Sequence, residues 1–99
     1  ISIELPAATG ERLETEPTVV EIGIDAQGRY FVNRQELVNR KLDTVKRAVG
    51  KAAGDAEEPQ IIISADRNTP HEAVIRAMDA ARQLGYVKLT IATRRADSE

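Results

Sequence analysis

Four residues with chemically active side chains fall within a span of seven positions, namely Asp66, Arg67, His71 and Glu72. A carboxylate and an imidazole next to a strand end could serve general acid–base catalysis or bind a metal ion. Both kinds of site need further ligands or a second acid at compatible positions, and none is visible around His71, the only histidine. We therefore expect a structural loop, with no catalytic, metal-binding or cofactor-binding residue. A small hydrolase or metal enzyme built on Asp66 and His71 is the alternative.

The residues in and beside this cluster predict the start of a helix. Thr69 has the residue type of an N-cap, Pro70 suits the first helical position, and Glu72 completes a capping box. The apolar residues that follow recur at helical spacing until Gly85, which suits the left-handed position after a helix. On this interpretation the Glu72 carboxylate accepts hydrogen bonds from backbone N–H groups rather than acting on a substrate.

Composition excludes several classes of function. The chain has 99 residues, 30% of them charged and 41% hydrophobic, which is typical of one soluble globular domain. Its net charge is −2 and its aromatic residues are one phenylalanine and two tyrosines, so we expect an aliphatic core and no nucleic-acid binding. Cysteine is absent, and no glycine-rich phosphate loop follows the strand at residues 60–66.

The chain also lacks the pattern of a membrane span. Its longest purely aliphatic run, Ile61 to Ile63, is far shorter than the ~20 apolar residues that a transmembrane helix requires. The sequence begins at Ile1 without a methionine, and we interpret it as a fragment of a longer protein.

The first seventeen residues predict an arm followed by a linker. Ile1, Ile3 and Leu5 alternate with polar residues, as in a short strand, and Pro6 ends the pattern. The residues after Pro6 are small, polar and acidic, without a helical or strand period. The predicted organisation is an arm and linker over residues 1–17, a folded domain over 18–93 and a polar tail over 94–99.

The folded part predicts alternating strands and helices. Two strand patterns flank a turn that ends at Gly28, and the N-x-x-E spacing of Asn33 and Glu36 predicts a helix start. The apolar stripe of that helix is Val38, Leu42, Val45, Val49 and Ala52. A buried strand at residues 60–66, a second helix and a last strand complete the order β-β-α-β-α-β. We therefore predict an α+β fold with two helices on one face of a four-stranded mixed sheet, its last two strands parallel.

Two segments are candidates for contact with a partner. The arm is too small to be a stable strand alone, so it would pair with a sheet edge of its own domain or of a second copy, or give way to a partner's strand. A disordered chain end is the alternative. Tyr86, at the exit of the second helix, combines an apolar ring with a hydroxyl that suits an interface. Simple packing across the helix end is the alternative there.

In this order of elements, the chain resembles the periplasmic domain of the ExbD/TolR family. The resemblance is carried by "IELP" near the N-terminus, by the glycine-turn hairpin and by "QIIISADRNTPHEAVIRAMDAARQLGYVKLTIAT". Its most specific parts are the pairs Ala65-Asp66 and Met78-Asp79 together with Gly85. The segment "GYVKL" and the charged tail are more similar to the ExbD branch than to TolR.

The resemblance implies a part in a membrane-anchored motor. Family members are single-pass inner-membrane proteins of Gram-negative bacteria, and their transmembrane helix carries a proton-translocating aspartate that lies outside this sequence. The implied function is to couple the proton motive force to TonB-dependent outer-membrane transport, such as iron–siderophore uptake. Implied partners are a second copy in a homodimer, a TonB-like protein and, through the missing helix, an ExbB-like pentamer. A TolR-like subunit that binds a TolA-like partner and peptidoglycan is the alternative.

A mechanism consistent with the residues is strand addition. The dimeric domain would present a sheet edge to an extended segment of a TonB-like protein, with the arm as a switchable element. The residues expected at the dimer or partner interface are Ile1, Ile3, Leu5, Pro6, Tyr86, Leu89 and Ile91.

Overall fold

The computed structural model describes residues 17–94, with Arg94 through its backbone only. The predicted arm residues Ile1, Ile3, Leu5 and Pro6 lie outside the described residues, as do positions 95–99 of the predicted tail. The described strands are β1 (Val19–Ile24), β2 (Tyr30–Val32), β3 (Gln35–Glu36), β4 (Gln60–Asp66) and β5 (Lys88–Arg94). The described helices are α1 (Leu42–Ala53) and α2 (His71–Gln83). No helix within this part of the chain is long and apolar enough to cross a membrane.

The sheet has the strand order β3-β2-β1-β4-β5. β1 and β2 form an antiparallel hairpin, whereas β4 pairs in parallel with both β1 and β5. The turn of the hairpin contains Gly28 with a φ of 87°, the positive value expected there. The α+β class, the two helices, the hairpin and the parallel β4–α2–β5 unit are therefore confirmed.

The prediction of four strands is wrong, because a further short strand follows β2. Asn33 and Arg34 have φ values of 50° and 75° and form a two-residue turn that brings β3 back onto β2. The Asn33 Oδ1 atom accepts a hydrogen bond of 3.0 Å from the backbone N–H of Glu21, so it binds the sheet instead of capping a helix. The N-x-x-E spacing thus marks a hairpin, and α1 begins only at Leu42.

The apolar stripe of α1 is shorter than predicted. Val45 and Val49 are fully buried, and Leu42 and Ala52 pack against the core from its margin. Val38 is 90% exposed because it lies in the irregular segment before the helix. The prediction that Val38 belongs to the stripe is wrong, because the helix begins at Leu42 and not near Asn33.

The capping box at the start of α2 is also wrong. Pro70 occupies the N-cap position, and no side chain makes a capping hydrogen bond there. The Thr69 hydroxyl lies 3.1 Å from the carbonyl oxygens of both Ile24 and Asp25 and can donate its hydrogen to either one. Thr69 therefore ties the α2 entrance to the end of β1. The predicted helix end is confirmed, with Gly85 at a φ of 86° just after α2.

The core lies between the helices and one face of the sheet. Alternate residues of the central strands are buried on that face: Val20, Ile22, Ile24, Ile61, Ile63 and Ala65. α2 presents four buried alanines to them, and these small side chains allow close packing of the helix on the sheet. Among the described residues, Tyr30 is the one aromatic side chain in the hydrophobic core, which is otherwise aliphatic as expected.

Candidate functional site

The residues that first indicated chemistry form a structured loop after β4. The Asp66 Oδ1 atom accepts a hydrogen bond of 2.8 Å from the backbone N–H of Asn68, and the Asp66 carbonyl accepts one of 2.9 Å from Thr69. His71 and Glu72 are exposed at the start of α2. Within residues 17–94, no cluster of histidine, aspartate or glutamate side chains is arranged to hold a metal ion. The Asp66 carboxylate therefore shapes a turn.

The hairpin turn between β1 and β2 is built around Asp25. Its Oδ1 atom accepts backbone hydrogen bonds of 2.9 Å from Gln27 and 2.8 Å from Arg29, and Arg29 Nε lies 2.7 Å from Oδ2. Burial acts to raise the pKa of Asp25, but these hydrogen bonds and the charge of Arg29 outweigh it and lower the pKa. The ionised carboxylate thus stabilises the turn that leads into β2.

The outer edge of β5 is the clearest candidate for an interaction site. β5 pairs with β4 on one side, and no described strand pairs with its other side. A free edge presents unpaired N–H and C=O groups that can bind a further strand. Residues 89–93 within β5 are uncharged, so the middle of this edge lacks the charged side chains that commonly block strand addition.

The opposite edge of the sheet is less suited to strand addition. It is formed by β3, which has only two residues, Gln35 and Glu36, both of them exposed. A strand this short offers few main-chain hydrogen bonds, and short or charged edges resist further pairing. Of the two described edges, β5 is therefore the one that can accept an extended partner.

The helices leave the side of β5 that faces them partly open. α1 packs over β1 and β2, and α2 packs over β4 and β1. Ile91 lies beside Ile63 in the ladder, yet 49% of Ile91 is exposed whereas Ile63 is fully buried. Val87, just before β5, is 78% exposed. The edge therefore combines free backbone groups with apolar side chains.

The three described residues predicted at an interface occupy neighbouring positions around β5. Tyr86 and Leu89 are half-buried and pack against the core, whereas Ile91 is the most exposed of the three. The backbone N–H of Tyr86 donates to the Ala81 carbonyl at 3.0 Å, which fixes the link from α2 into β5. The structure thus brings these three residues together, and an interface role for them stays a prediction.

A second polar cluster surrounds the buried hydroxyl of Tyr30. This hydroxyl donates a hydrogen bond of 2.7 Å to the Ala73 carbonyl. Arg76 Nη1 lies 3.4 Å from the hydroxyl oxygen of Tyr30. Burial raises the pKa of Tyr30, and the positive charges of Arg76 and Arg40 oppose this rise. Sequence reasoning missed the cluster because its members come from β2, the segment before α1, and α2.

Comparison with known proteins gives one family and several relatives. The family model described as "Biopolymer transport protein ExbD/TolR" matches residues 1–96. Proteins named "Biopolymer transport protein ExbD" from Neisseria meningitidis serogroup A and from Neisseria gonorrhoeae are each 28% identical to the chain over 96 residues. Each alignment covers 94% of this chain and 67% of the relative.

Proposed function

Because the chain belongs to the ExbD/TolR family of biopolymer transport proteins, we propose that it is the periplasmic domain of an ExbD-like subunit of a TonB system. The full-length protein would be anchored in the inner membrane of a Gram-negative bacterium by a single transmembrane helix. Through that helix it would join an ExbB-like pentamer, and this domain would engage a TonB-like protein. The role is to couple the proton motive force to outer-membrane transport, including iron–siderophore uptake.

The free edge of β5 is the observation that carries the proposal. An extended segment of the TonB-like protein adds as a sixth strand beside β5 and forms main-chain hydrogen bonds along it. Leu89 and Ile91, which point to the helix side of the sheet, supply apolar contacts to alternate side chains of that segment. Tyr86 lies at the entrance of the same strand and contributes its ring.

We further propose that two copies of the domain form a dimer and that the N-terminal arm switches between two states. In this arrangement residues 1–17 are an arm and linker, residues 18–93 the folded domain and residues 94–99 a polar tail. Ile1, Ile3 and Leu5 pair with a sheet edge in one state and leave it in another, and Pro6 stops the arm from extending its ladder.

The proposed role is interaction rather than catalysis. The family is one of transport accessory proteins, and the Asp66 carboxylate accepts a backbone hydrogen bond within its own loop. The relatives named ExbD favour the TonB system over the TolR-like alternative, in which a TolA-like partner and peptidoglycan would be bound. Sedimentation with purified cell wall separates the two, because only the TolR-like alternative predicts that the domain sediments with it.

A binding titration tests the proposed edge. The partner is the purified periplasmic region of the TonB-like protein from the same organism. Replacing Ile91 by lysine places a charge on the edge and is expected to weaken binding about tenfold. Ile75→Lys is the matched control, because Ile75 is 40% exposed but lies on α2. Equal affinities for the wild type and Ile91→Lys, or equal losses in the two variants, would refute strand addition at β5.

A further inference from the structure

A groove of about 670 Å³ lies on the side of the domain where α2 begins. Its walls come from the β1–β2 turn, the segment before α1 and the first turns of α2. The three walls converge at Gly28, where a Cβ atom would lie 3.7 Å from Arg40 Nη1, 3.8 Å from Pro70 and 3.9 Å from Ala73. We call this feature the cationic groove and define it by Asn39, Arg40, Lys41, Glu72 and Arg76.

The charge of the cationic groove is opposite to that of the chain. Arg40, Lys41 and Arg76 line it together with a single carboxylate, that of Glu72. The chain as a whole carries a net charge of −2. A concave site lined mainly by one sign of charge raises the local concentration of ligands of the other sign.

The cations of the groove are not used in ion pairs with the rest of the described domain. Within residues 17–94 the ion pairs join Arg29 to Asp25, Arg82 to Asp79 and Lys88 to Glu58. Arg40 and Lys41 make no ion pair with a described residue, and the described polar contact of Arg76 is to the Tyr30 hydroxyl. Three positive charges are therefore available to a ligand.

Tyr30 holds one of these cations in place. Its hydroxyl donates to the Ala73 carbonyl, so its oxygen can accept from Arg76 Nη1 at 3.4 Å. Burial raises the pKa of Tyr30 above its ordinary value of 10.0, so the hydroxyl stays protonated as this donor at neutral pH and somewhat above it. Arg76 is thereby anchored at one end, and part of its guanidinium fork remains for another acceptor.

The composition of the groove selects among anions. Guanidinium groups bind both carboxylates and phosphates through paired hydrogen bonds, so the choice between these anions depends on the other residues of the groove. Gln27 offers its amide group to a peptide main chain, and Asn39 offers its amide N–H groups, since its Oδ1 atom already accepts from the backbone N–H of Lys41. Pro70 and Ala73 add apolar surface. The carboxylate of Glu72 limits the excess positive charge, which suits a segment with a few carboxylates better than a densely charged polyphosphate.

We propose that the cationic groove binds a segment of a partner protein that carries acidic side chains, whose carboxylates contact Arg40, Lys41 and Arg76. The groove is lined by the start of α2, the β1–β2 turn and the segment before α1, whereas the proposed strand-addition edge is β5. This inference is therefore independent of strand addition at β5, and either can fail without the other.

The test uses the 99-residue chain and two short peptides with blocked ends. One peptide carries glutamate at alternate positions among small neutral residues, and the other carries glutamine at those positions. In calorimetric titrations at low salt, the glutamate peptide is expected to bind at least about tenfold more tightly than the glutamine peptide. Its affinity should fall as salt is added.

Substitutions locate the site. Arg40→Gln and Arg76→Gln are each expected to weaken binding of the glutamate peptide about tenfold. Arg82→Gln is the matched control. Arg82 lies on α2 like Arg76, but it is outside the groove, 68% exposed and paired with Asp79. Circular dichroism checks that each variant is folded. Lys41→Gln, at an exposed position, replaces Arg76→Gln if that variant unfolds.

Three results would overturn the inference. The first is equal binding of the glutamate and glutamine peptides. The second is an equal loss in Arg82→Gln and Arg40→Gln, which would mean attraction to the overall surface charge. The third is displacement of the peptide by an equal concentration of inorganic phosphate, which would mean a simple anion site.

Discussion

Ile63 of β4 and Ile91 of β5 are direct neighbours in the sheet, yet Ile63 is fully buried whereas 49% of Ile91 is exposed. The difference arises because α2 covers β4 and does not reach fully over β5. Ile63 therefore belongs to the core of the domain, and Ile91 belongs to a surface that a partner can cover.

This relationship predicts unequal losses of stability when each isoleucine is truncated. Ile63→Ala removes fully buried methyl groups and leaves a cavity, so we expect a loss of about 2–5 kcal/mol in the free energy of unfolding. Ile91→Ala removes half-exposed groups, and the expected loss is about 1 kcal/mol or less. Urea unfolding of both variants measures the difference, and equal losses would contradict the partial cover of β5.

Thr69 provides a test of how α2 is anchored. In the observed structure its hydroxyl donates to a carbonyl at the end of β1, either that of Ile24 or that of Asp25. Thr69→Asp removes the donor and turns a carboxylate toward these carbonyl oxygens, so it should cost about 1–3 kcal/mol of stability. Thr69→Ser keeps the hydroxyl and is the control. A helix N-cap would tolerate aspartate, so an unchanged midpoint of unfolding in Thr69→Asp would support capping instead.

The lowered pKa of Asp25 predicts a dependence of stability on pH. Because this pKa falls below its ordinary value of 3.8 on folding, the ionised carboxylate stabilises the fold above that pH. The contribution is lost as the pH decreases through the lowered pKa of the folded protein. Asp25→Asn should therefore be less stable than the wild type at neutral pH, with a difference that narrows in acid.

Urea unfolding at neutral pH and at about pH 2–3 measures this difference. Asp55→Asn is the control, since Asp55 is exposed in the loop after α1. If the difference in the free energy of unfolding between the wild type and Asp25→Asn stayed constant or grew in acid, the role of Asp25 in the turn would be contradicted.

The sequence predicted most reliably those features that depend on neighbouring residues. The β1–β2 turn at Gly28, the end of α2 at Gly85 and the parallel β4–α2–β5 unit each follow from local residue types and periodicity. Asn33 misled because asparagine favours both helix N-caps and left-handed turns, and only its bond to Glu21 distinguishes the two. The predicted N-cap at Thr69 is wrong because its hydroxyl donates to a carbonyl at the end of β1, which is distant in the sequence.

In the candidate sites, too, local features could be predicted from the sequence and features that depend on distant contacts could not. The alternating pattern of Leu89 and Ile91 predicts a strand, but their different exposure depends on where α2 lies over the sheet. The cationic groove could not be predicted, because Arg40 and Arg76 are far apart in the sequence. They line the same groove only after the hairpin and α2 have packed together.

Amide hydrogen exchange, read residue by residue with NMR, tests most directly whether β5 accepts a partner strand. The free domain and its complex with the periplasmic region of the TonB-like protein are compared. Strand addition predicts that alternate backbone amides of Lys88–Arg94, those not bonded to β4, exchange rapidly in the free domain and become protected in the complex. Unchanged exchange along β5, with new protection at another surface, would mean that the TonB-like protein binds elsewhere on the domain.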